Sequence, residues 1–146
     1  MEILLILVLI TIVVFAVFII LIRNMIVKRK KEIIEKFKNK EILLISSNAN
    51  YFGTETLKSF QVRGNGFLIL TKDELFFQPW TSKKEISIPL SNLRSAETVK
   101  SFLGKTVYAP LLKVNFQNEH NDSDSIGFLV KNLHQWIKTI NESIKK

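Results

Sequence analysis

The run Arg63-Gly64-Asn65-Gly66 contains the residue types that could cradle a phosphate group. A nucleotide-binding phosphate loop opens a helix and carries a G-K-[ST] signature, whereas this run precedes an apolar, strand-like segment and lacks the signature. We therefore interpret the run as a tight turn in which Gly64 and Gly66 supply the positive φ angles that such turns need.

The residue types that serve in catalysis or metal binding are scattered. His120 lies in a polar stretch and His134 in a terminal helical pattern, and neither has a partner at metal-ligand spacing. The chain has no cysteine, which excludes disulfides, thiolate zinc sites and cysteine nucleophiles. No hydrolase or metalloprotease motif stands out, and Asp73-Glu74 reads as a hairpin tip. The sequence predicts a protein that is not an enzyme and has no cofactor and no metal site.

Two stretches carry side chains that could contact a partner. Residues 48–63 combine turn-forming residues with three aromatic side chains and two basic ones, and residues 80–84 combine a tryptophan with two lysines. The candidate partner- or lipid-binding residues are Tyr51, Phe52, Lys58, Arg63, Trp80, Lys83 and Lys84. For Tyr51 and Phe52 two alternatives remain open, because the aromatic rings could face solvent in a binding loop or pack into the core.

Residues 3–22 form an apolar run long enough to cross a membrane. Every residue in it except Thr11 is apolar, and a helix of that length spans about 30 Å, the thickness of the bilayer's hydrocarbon core. A cleaved signal peptide would have a basic start, a shorter apolar region and a small-residue cleavage site, and this run has none of them. The sequence predicts one retained transmembrane helix, and without a small-xxx-small motif it gives no support for dimerisation through that helix.

Basic residues follow the apolar run directly. Residues 23–40 hold eight Lys or Arg and two Glu, which accounts for +6 of the net charge of +8. The predicted membrane-interface residues are Arg23, Lys28, Arg29, Lys30 and Lys31. The positive-inside rule then places the N-terminus outside and the following domain in the cytoplasm of a single-pass cell-membrane protein. Because the basicity has this membrane explanation, nucleic-acid binding is not predicted.

The apolar pattern of residues 24–38 predicts that the membrane helix continues past the bilayer. Its lysines could lie against anionic headgroups. Alternatively, the stretch is a topology signal and a solvated stalk, with Ile34 and Phe37 docking onto the domain, and the charge pattern favours this second interpretation.

From residue 41 onward, short apolar runs alternate with turn residues, which predicts a mainly β domain over 41–146 behind a membrane unit over 1–40. Residues 47–59 read as irregular, and Pro89 should end a strand or lie at a sheet edge because it cannot donate to a ladder. The predicted strands are 41–46, a hairpin over 66–79, 84–90, 93–99, 111–117 and 125–130, with a turn at 101–104. Residues 133–144 have helical spacing.

Three motifs in this order resemble the pleckstrin-homology-like superfold, nearest to its GRAM and bacterial branches. They are G-x-G-F-L-I-L-T-x-x-x-L-x-F at 64–77, I-P-L-x-x-L at 88–93 and L-x-x-W-I at 133–137. The resemblance covers residues 41–145 and implies an antiparallel β-barrel or sandwich of six or seven strands, capped by a C-terminal helix whose Trp136 packs into the barrel mouth. Phosphoinositide-binding members carry a basic cluster across the first hairpin, where this chain has only Lys58 and Arg63.

Together these features predict a membrane-anchored, non-enzymatic interaction module that presents its domain at the inner leaflet to a protein partner or to anionic lipid headgroups. The alternative is a small accessory subunit or an unrecognised enzyme acting at the membrane. The sequence does not predict the oligomeric state.

Overall fold

A computed structural model describes residues 1–57, 61 and 63–145. The chain divides into two compact units, Met1–Lys38 and Asn39–Lys146. We describe each unit by itself.

The first unit is a single helix, α1, Glu2–Lys36. It runs without a break from the apolar segment through the basic stretch, as predicted. Its most apolar 18-residue window has a mean hydropathy of 3.7 with none of it buried, so the helix is long and apolar enough to cross a membrane. Thr11, the one polar side chain of the apolar run, donates its hydroxyl to the Leu7 carbonyl oxygen at 2.8 Å, so its polar group is satisfied within the helix.

The second unit is a seven-stranded antiparallel sheet followed by a helix, which confirms the predicted fold class. The strands are β1 Ile42–Thr54, β2 Gly64–Thr71, β3 Glu74–Pro79, β4 Ile86–Pro89, β5 Leu93–Phe102, β6 Lys105–Gln117 and β7 Ser123–Leu129. A 3₁₀ turn, Leu90–Asn92, links β4 to β5, and helix α2 spans Leu133–Ile144. The strand order β4-β3-β2-β1-β7-β6-β5 leaves β4 and β5 at the two edges, and Pro89 is the last residue of edge strand β4.

Strand β1 joins the two halves of the sheet. Its first part pairs with β2 and its second part with β7, and the pairing with β2 shifts register between Ser46 and Ala49. The prediction of an irregular stretch from residue 47 was therefore wrong, because β1 continues to Thr54. The turn-forming residues of this stretch lie in a strand that contains bulges. Their local preference for turns is overridden by pairing with strands that are distant in the sequence.

The β2–β3 hairpin lies where the sequence predicted it. Its turn is held by the Thr71 hydroxyl, which accepts hydrogen bonds from the backbone N–H groups of Asp73 (3.1 Å) and Glu74 (3.0 Å). The prediction of a tight turn at Gly64 and Gly66 was wrong, since both lie in β2, although Gly64 does have the positive φ, 154°, that the prediction required. Gly66 is required for close approach, because a Cβ atom there would come within 2.4 Å of the Gln78 carbonyl oxygen.

The core lies between the inner face of the bent sheet and α2. Tyr51, Phe77 and Phe128 form a triangle of rings with centroids 5.2–5.8 Å apart. Helix α2 is amphipathic and buries Trp136 and Ile140 in the same cluster. This placement of Trp136 is the one that the sequence motifs implied.

The α2 side chain of Asn141 binds the backbone of edge strand β5. Its amide oxygen accepts the Ala96 N–H at 2.8 Å, and its amide nitrogen donates to the Ala96 carbonyl oxygen at 2.9 Å. Asn141 thus fills the place of a neighbouring strand at Ala96. An exposed edge strand is a template for pairing with other chains, and this contact shortens the free edge.

The β5–β6 hairpin folds back over the outer face of the sheet. Gly53 of β1 and Gly127 of β7 are paired across the two strands. Because neither has a side chain, the outer face is open at this pair. A Cβ atom on Gly127 would lie 2.6 Å from the Phe102 ring, and one on Gly53 would lie 2.8 Å from Leu103. Leu103 adopts a left-handed φ of 51°, a conformation that is unfavourable for leucine and is held here by this packing.

Both hairpin strands are longer than predicted. Strand β5 continues to Phe102 and β6 begins at Lys105, so the turn contains only Leu103 and Gly104. The pairing jumps from Val99↔Leu111 to Ser101↔Thr106. Residues 107–110 therefore form a wide bulge in β6, which lets the hairpin bend over the glycine pair.

Replacing Gly127 by alanine tests this packing. Its φ is not in the left-handed region, so the cost of Gly127→Ala comes from the Phe102 ring, and we expect about 1–3 kcal/mol of destabilisation. Urea unfolding of the detergent-solubilised chain measures it. In the background of Phe102→Val, which vacates the space, the same substitution should cost less than half as much. An equal cost in both backgrounds would contradict the account.

Candidate interaction surface

Two adjoining clefts lie where the segment after β1, the β3–β4 segment and the β6–β7 loop come together. The first cleft has a volume of about 550 Å³ and lies between β4, the segment after β1 and the β6–β7 loop. The second has a volume of about 360 Å³ and lies between the end of β1 and the β3–β4 segment. Both are lined by Leu57 and Ile86, and Leu57 is 61% exposed. Leu57 therefore stands as an apolar side chain between the two clefts.

The wall of the first cleft is set by buried Asp124 at the start of β7. Its carboxylate accepts hydrogen bonds from the Thr56 backbone N–H (3.1 Å), from the Thr56 hydroxyl and from the Ser125 backbone N–H (2.7 Å). These bonds tie the segment after β1 to β7 and fix the base on which Leu57 is presented. Asp124 thus has a positioning role, because donors already surround its carboxylate.

The floor of the second cleft is set by Gln61. Its amide oxygen accepts the Thr54 N–H at 2.6 Å, and its amide nitrogen donates to the Thr54 carbonyl oxygen at 2.7 Å. The Tyr51 hydroxyl donates to the same Gln61 oxygen at 2.5 Å and shares a 2.8 Å hydrogen bond with the Thr54 hydroxyl. The Gln61 side chain therefore takes the place of a neighbouring strand at Thr54, the last residue of β1. The sequence gives no signal for it, since an isolated glutamine in a polar stretch has no pattern.

Burial raises the pKa of the Tyr51 hydroxyl above its usual value, and the hydrogen bond with Thr54 opposes that effect. The ring lies in the core while its hydroxyl stays within this hydrogen-bonded group. Tyr51 is therefore neutral over the ordinary pH range and acts as a fixed structural link between the core and the cleft floor.

Tyr51 and Phe52 are both buried, so of the two alternatives the core placement holds, and neither is an exposed residue that could contact a partner. Successive side chains of a strand point to opposite faces, so two adjacent aromatics can both be buried only where both faces are covered. Tyr51 points into the main core. Phe52 packs on the outer face with Phe102 and Leu111, beneath the folded-back β5–β6 hairpin.

The other candidate contact residues have different surroundings. Trp80 is half-buried, and its indole N–H donates to the Ser47 carbonyl oxygen at 2.9 Å, inside the β1 bulge. Lys83 and Lys84 are exposed, and Lys84 lines the second cleft. Arg63 is half-buried at the start of β2, and Lys58 lies outside the described residues.

The described residues that line the clefts do not carry the basic cluster that a polyphosphate needs. Among the described residues that line them, Lys84 is the one Lys or Arg, while Glu85, Glu119 and Asp124 are acidic. Recognition of a phosphorylated headgroup uses several Arg or Lys side chains that converge on the phosphate oxygens. Apolar side chains and uncharged amides, such as Phe116, Gln117 and Asn118, supply much of the remaining surface.

Candidate metal ligands are scattered in the part of the chain that the structure describes. Within it, no three His, Asp or Glu side chains come together as metal ligands. His120 and His134 are both exposed, in the β6–β7 loop and on α2 respectively.

A bent seven-stranded antiparallel sheet closed by a C-terminal amphipathic helix is the pleckstrin-homology-like fold. The chain therefore combines a domain of this class with an N-terminal apolar helix.

Solved structures share this fold. The C-terminal domain of an unknown protein from Leishmania infantum matches with a TM-score of 0.53 and 17% identity, over 82% of this chain and 97% of that one. The Vps36 N-terminal PH domain matches with a TM-score of 0.52 and 13% identity, over 74% and 81%. A chain of the 8S snRNP assembly intermediate matches with a TM-score of 0.51 and 12% identity, over 71% and 79%. At these identities the likeness establishes the fold alone.

No protein-family model matches the sequence. No curated protein matches it either.

The buried Tyr51 hydroxyl predicts a loss of stability at high pH. Above pH 10.0, the ordinary tyrosine pKa, Tyr51 ionises in the unfolded chain but not in the folded one, so stability is complete below that pH and falls as the pH rises past it. The chain has two tyrosines, so Tyr51 is the only tyrosine left in the Tyr108→Phe variant. Absorbance titration of that variant should show ionisation at a higher pH in the folded protein than in denaturant.

Tyr51→Phe is the matched control for this titration. It removes the group, so the corresponding part of the pH dependence should disappear. Ionisation of Tyr51 at the same pH in the folded and the denatured protein would contradict the assignment.

Proposed function

We propose that this protein is a single-pass, membrane-anchored interaction module without enzymatic activity, whose pleckstrin-homology-like domain binds a protein segment at the cytoplasmic face of the membrane. One combination of features carries the proposal. The helix α1 has exposed apolar side chains, and the domain in the same chain has two adjoining clefts that share the apolar residues Leu57 and Ile86.

Membrane anchoring is supported by the surface of α1. Along residues 3–21 its large apolar side chains are exposed, and the segment is as long as the hydrocarbon core is thick. Each such residue gains about 0.3–0.6 kcal/mol near the bilayer centre, so insertion of the run is favourable by several kcal/mol. The basic residues that follow, Arg23 to Lys31, support the orientation with the N-terminus outside and the domain inside.

Protein binding is supported by the chemistry of the clefts. Leu57 and Ile86 offer apolar contacts at their junction, and the amides around them offer hydrogen bonds, which together resemble the apolar centre and polar rim of a protein interface. Lys84 is the one lysine among the described lining residues, which favours a protein segment over a phosphorylated headgroup as the occupant. Tethering raises the local concentration of both partners, so a weak intrinsic affinity suffices.

Site-specific crosslinking in the native membrane tests the proposal. A photoreactive amino acid at Leu57 of the full-length chain should yield a discrete crosslinked protein, because this exposed side chain lies between the clefts. The same amino acid at Lys138, which is exposed on α2, is the matched control and should not yield it.

Two variants sharpen this experiment. Leu57→Asp should abolish co-purification of the crosslinked protein, because it places a charge at the apolar junction, whereas Lys138→Asp should leave it unchanged. Crosslinks of equal yield at both positions, or co-purification that survives Leu57→Asp, would count against binding at the clefts. Crosslinking to lipid at Leu57 would indicate that a headgroup occupies them.

A further inference from the structure

The bend of the β5–β6 hairpin exposes an aromatic side chain. Tyr108 has a relative exposure of 114%, so it makes almost no contact with the domain. It lies in the bulge of β6 at residues 107–110, between Val107 and the Ala109-Pro110 pair. We call Lys100 together with residues 105–110 the hairpin elbow.

The position of Tyr108 follows from the packing of the hairpin. Phe102 and Leu103 lie over the glycine pair of β1 and β7, which draws the hairpin tip onto the sheet. In β6, residues 107–110 lie opposite the single residue Lys100 of β5, and Tyr108 is one of them. Its exposure thus accompanies a register shift next to the part of the hairpin that packs on the sheet.

The charged residues near Tyr108 in the sequence are both basic. Residues 99–110 contain Lys100 and Lys105 and no acidic residue. Both lysines are exposed, and within the described part of the chain neither forms an ion pair, whereas Lys113 further along β6 lies near Glu55 and Glu97. Lys100 lines the same shallow depression as Tyr108 and Pro110.

An exposed tyrosine flanked by lysines matches the chemistry of a membrane surface. Tyrosine is enriched at membrane interfaces because its ring is apolar and its hydroxyl is polar. Lysines near the bilayer are attracted to anionic headgroups. We infer that the hairpin elbow is a second membrane contact, in which Tyr108 enters the headgroup region of an anionic bilayer while Lys100 and Lys105 face its phosphates and carboxylates.

This inference rests on the membrane anchoring proposed above and adds a docked orientation of the domain. The chain has no cysteine, so a single one can be introduced and labelled with an environment-sensitive fluorophore. The full-length protein is placed in nanodiscs whose lipids carry brominated acyl chains, with phosphatidylcholine alone or with phosphatidylserine added. Label positions are Ala109 in the elbow, His120 in the β6–β7 loop and Phe15 in α1.

Quenching by the brominated lipid gives the result. We expect the label at Ala109 to be quenched in the discs that contain phosphatidylserine. Its quenching should be weaker in discs of phosphatidylcholine alone, and weaker in the phosphatidylserine discs when the salt concentration is raised. The label at His120 should stay unquenched in all of them. Neutralising Lys100 and Lys105 to glutamine should lower the docked-to-undocked ratio about fivefold for each lysine. Tyr108→Ser should lower it as well, and the matched pair Lys131→Gln with Lys138→Gln, at two exposed positions outside the elbow and the clefts, should leave it unchanged.

The label at Phe15 separates the two proposals. If it is quenched while the label at Ala109 behaves like that at His120, the elbow contact is wrong and the anchoring stands. If Phe15 is not quenched, the anchoring itself is wrong. Equal quenching of the label at Ala109 in both kinds of disc would contradict the claim that the elbow binds anionic lipids. Shielding of Ala109 from an aqueous quencher without quenching by lipid would assign the elbow to a protein surface.

Discussion

The exposed apolar side chains of α1 are the constraint on which the functional account depends. Burial of apolar surface away from water is the dominant favourable contribution to the free energy of folding. In α1 none of the apolar window is buried by the protein, so the helix does not gain this free energy within the chain. A bilayer satisfies it, and because every backbone N–H and C=O inside a helix is already paired, entry into lipid leaves no backbone group unsatisfied. In the membrane-anchored arrangement that we propose, the basic residues after the apolar run favour the cytoplasmic side for the domain.

Within the domain, strand β1 and the glycine pair of β1 and β7 determine which surfaces remain free. One half of β1 belongs to the β2–β4 part of the sheet, and the other half pairs with β7. The hairpin that covers Gly53 and Gly127 seals the outer face above Phe52. Asn141 occupies part of the β5 edge. The two clefts around Leu57 and the hairpin elbow are among the surfaces of the domain that remain exposed.

The parts of the fold that local patterns encode could be predicted from the sequence. The β2–β3 hairpin has two apolar runs around a polar turn, α2 has clear helical spacing, and α1 has an uninterrupted apolar run. Strand β1 beyond residue 46 could not be predicted, because Asn48, Asn50 and Gly53 favour turns locally. Their strand conformation depends on partners that lie up to about 80 residues further along the chain.

The candidate site was less predictable than the fold, for the same reason. Whether Tyr51 and Phe52 are buried depends on what covers each face of β1, and the outer cover is a hairpin whose bend the sequence does not reveal. Gln61 and Asp124 position the clefts through hydrogen bonds to the backbone near Thr54 and Thr56, and single polar residues carry no periodic signal. Exposure of Tyr108 likewise follows from a bulge, which is visible only in the strand pairing.

The most direct test of the account asks where α1 and the domain reside in intact cells. After alkaline carbonate washing, the full-length protein should remain in the membrane fraction and require detergent for release. Protease added outside intact cells should leave the C-terminal domain uncut, and permeabilisation should expose it to cleavage. Release by carbonate alone, or digestion of the domain from outside, would contradict the account.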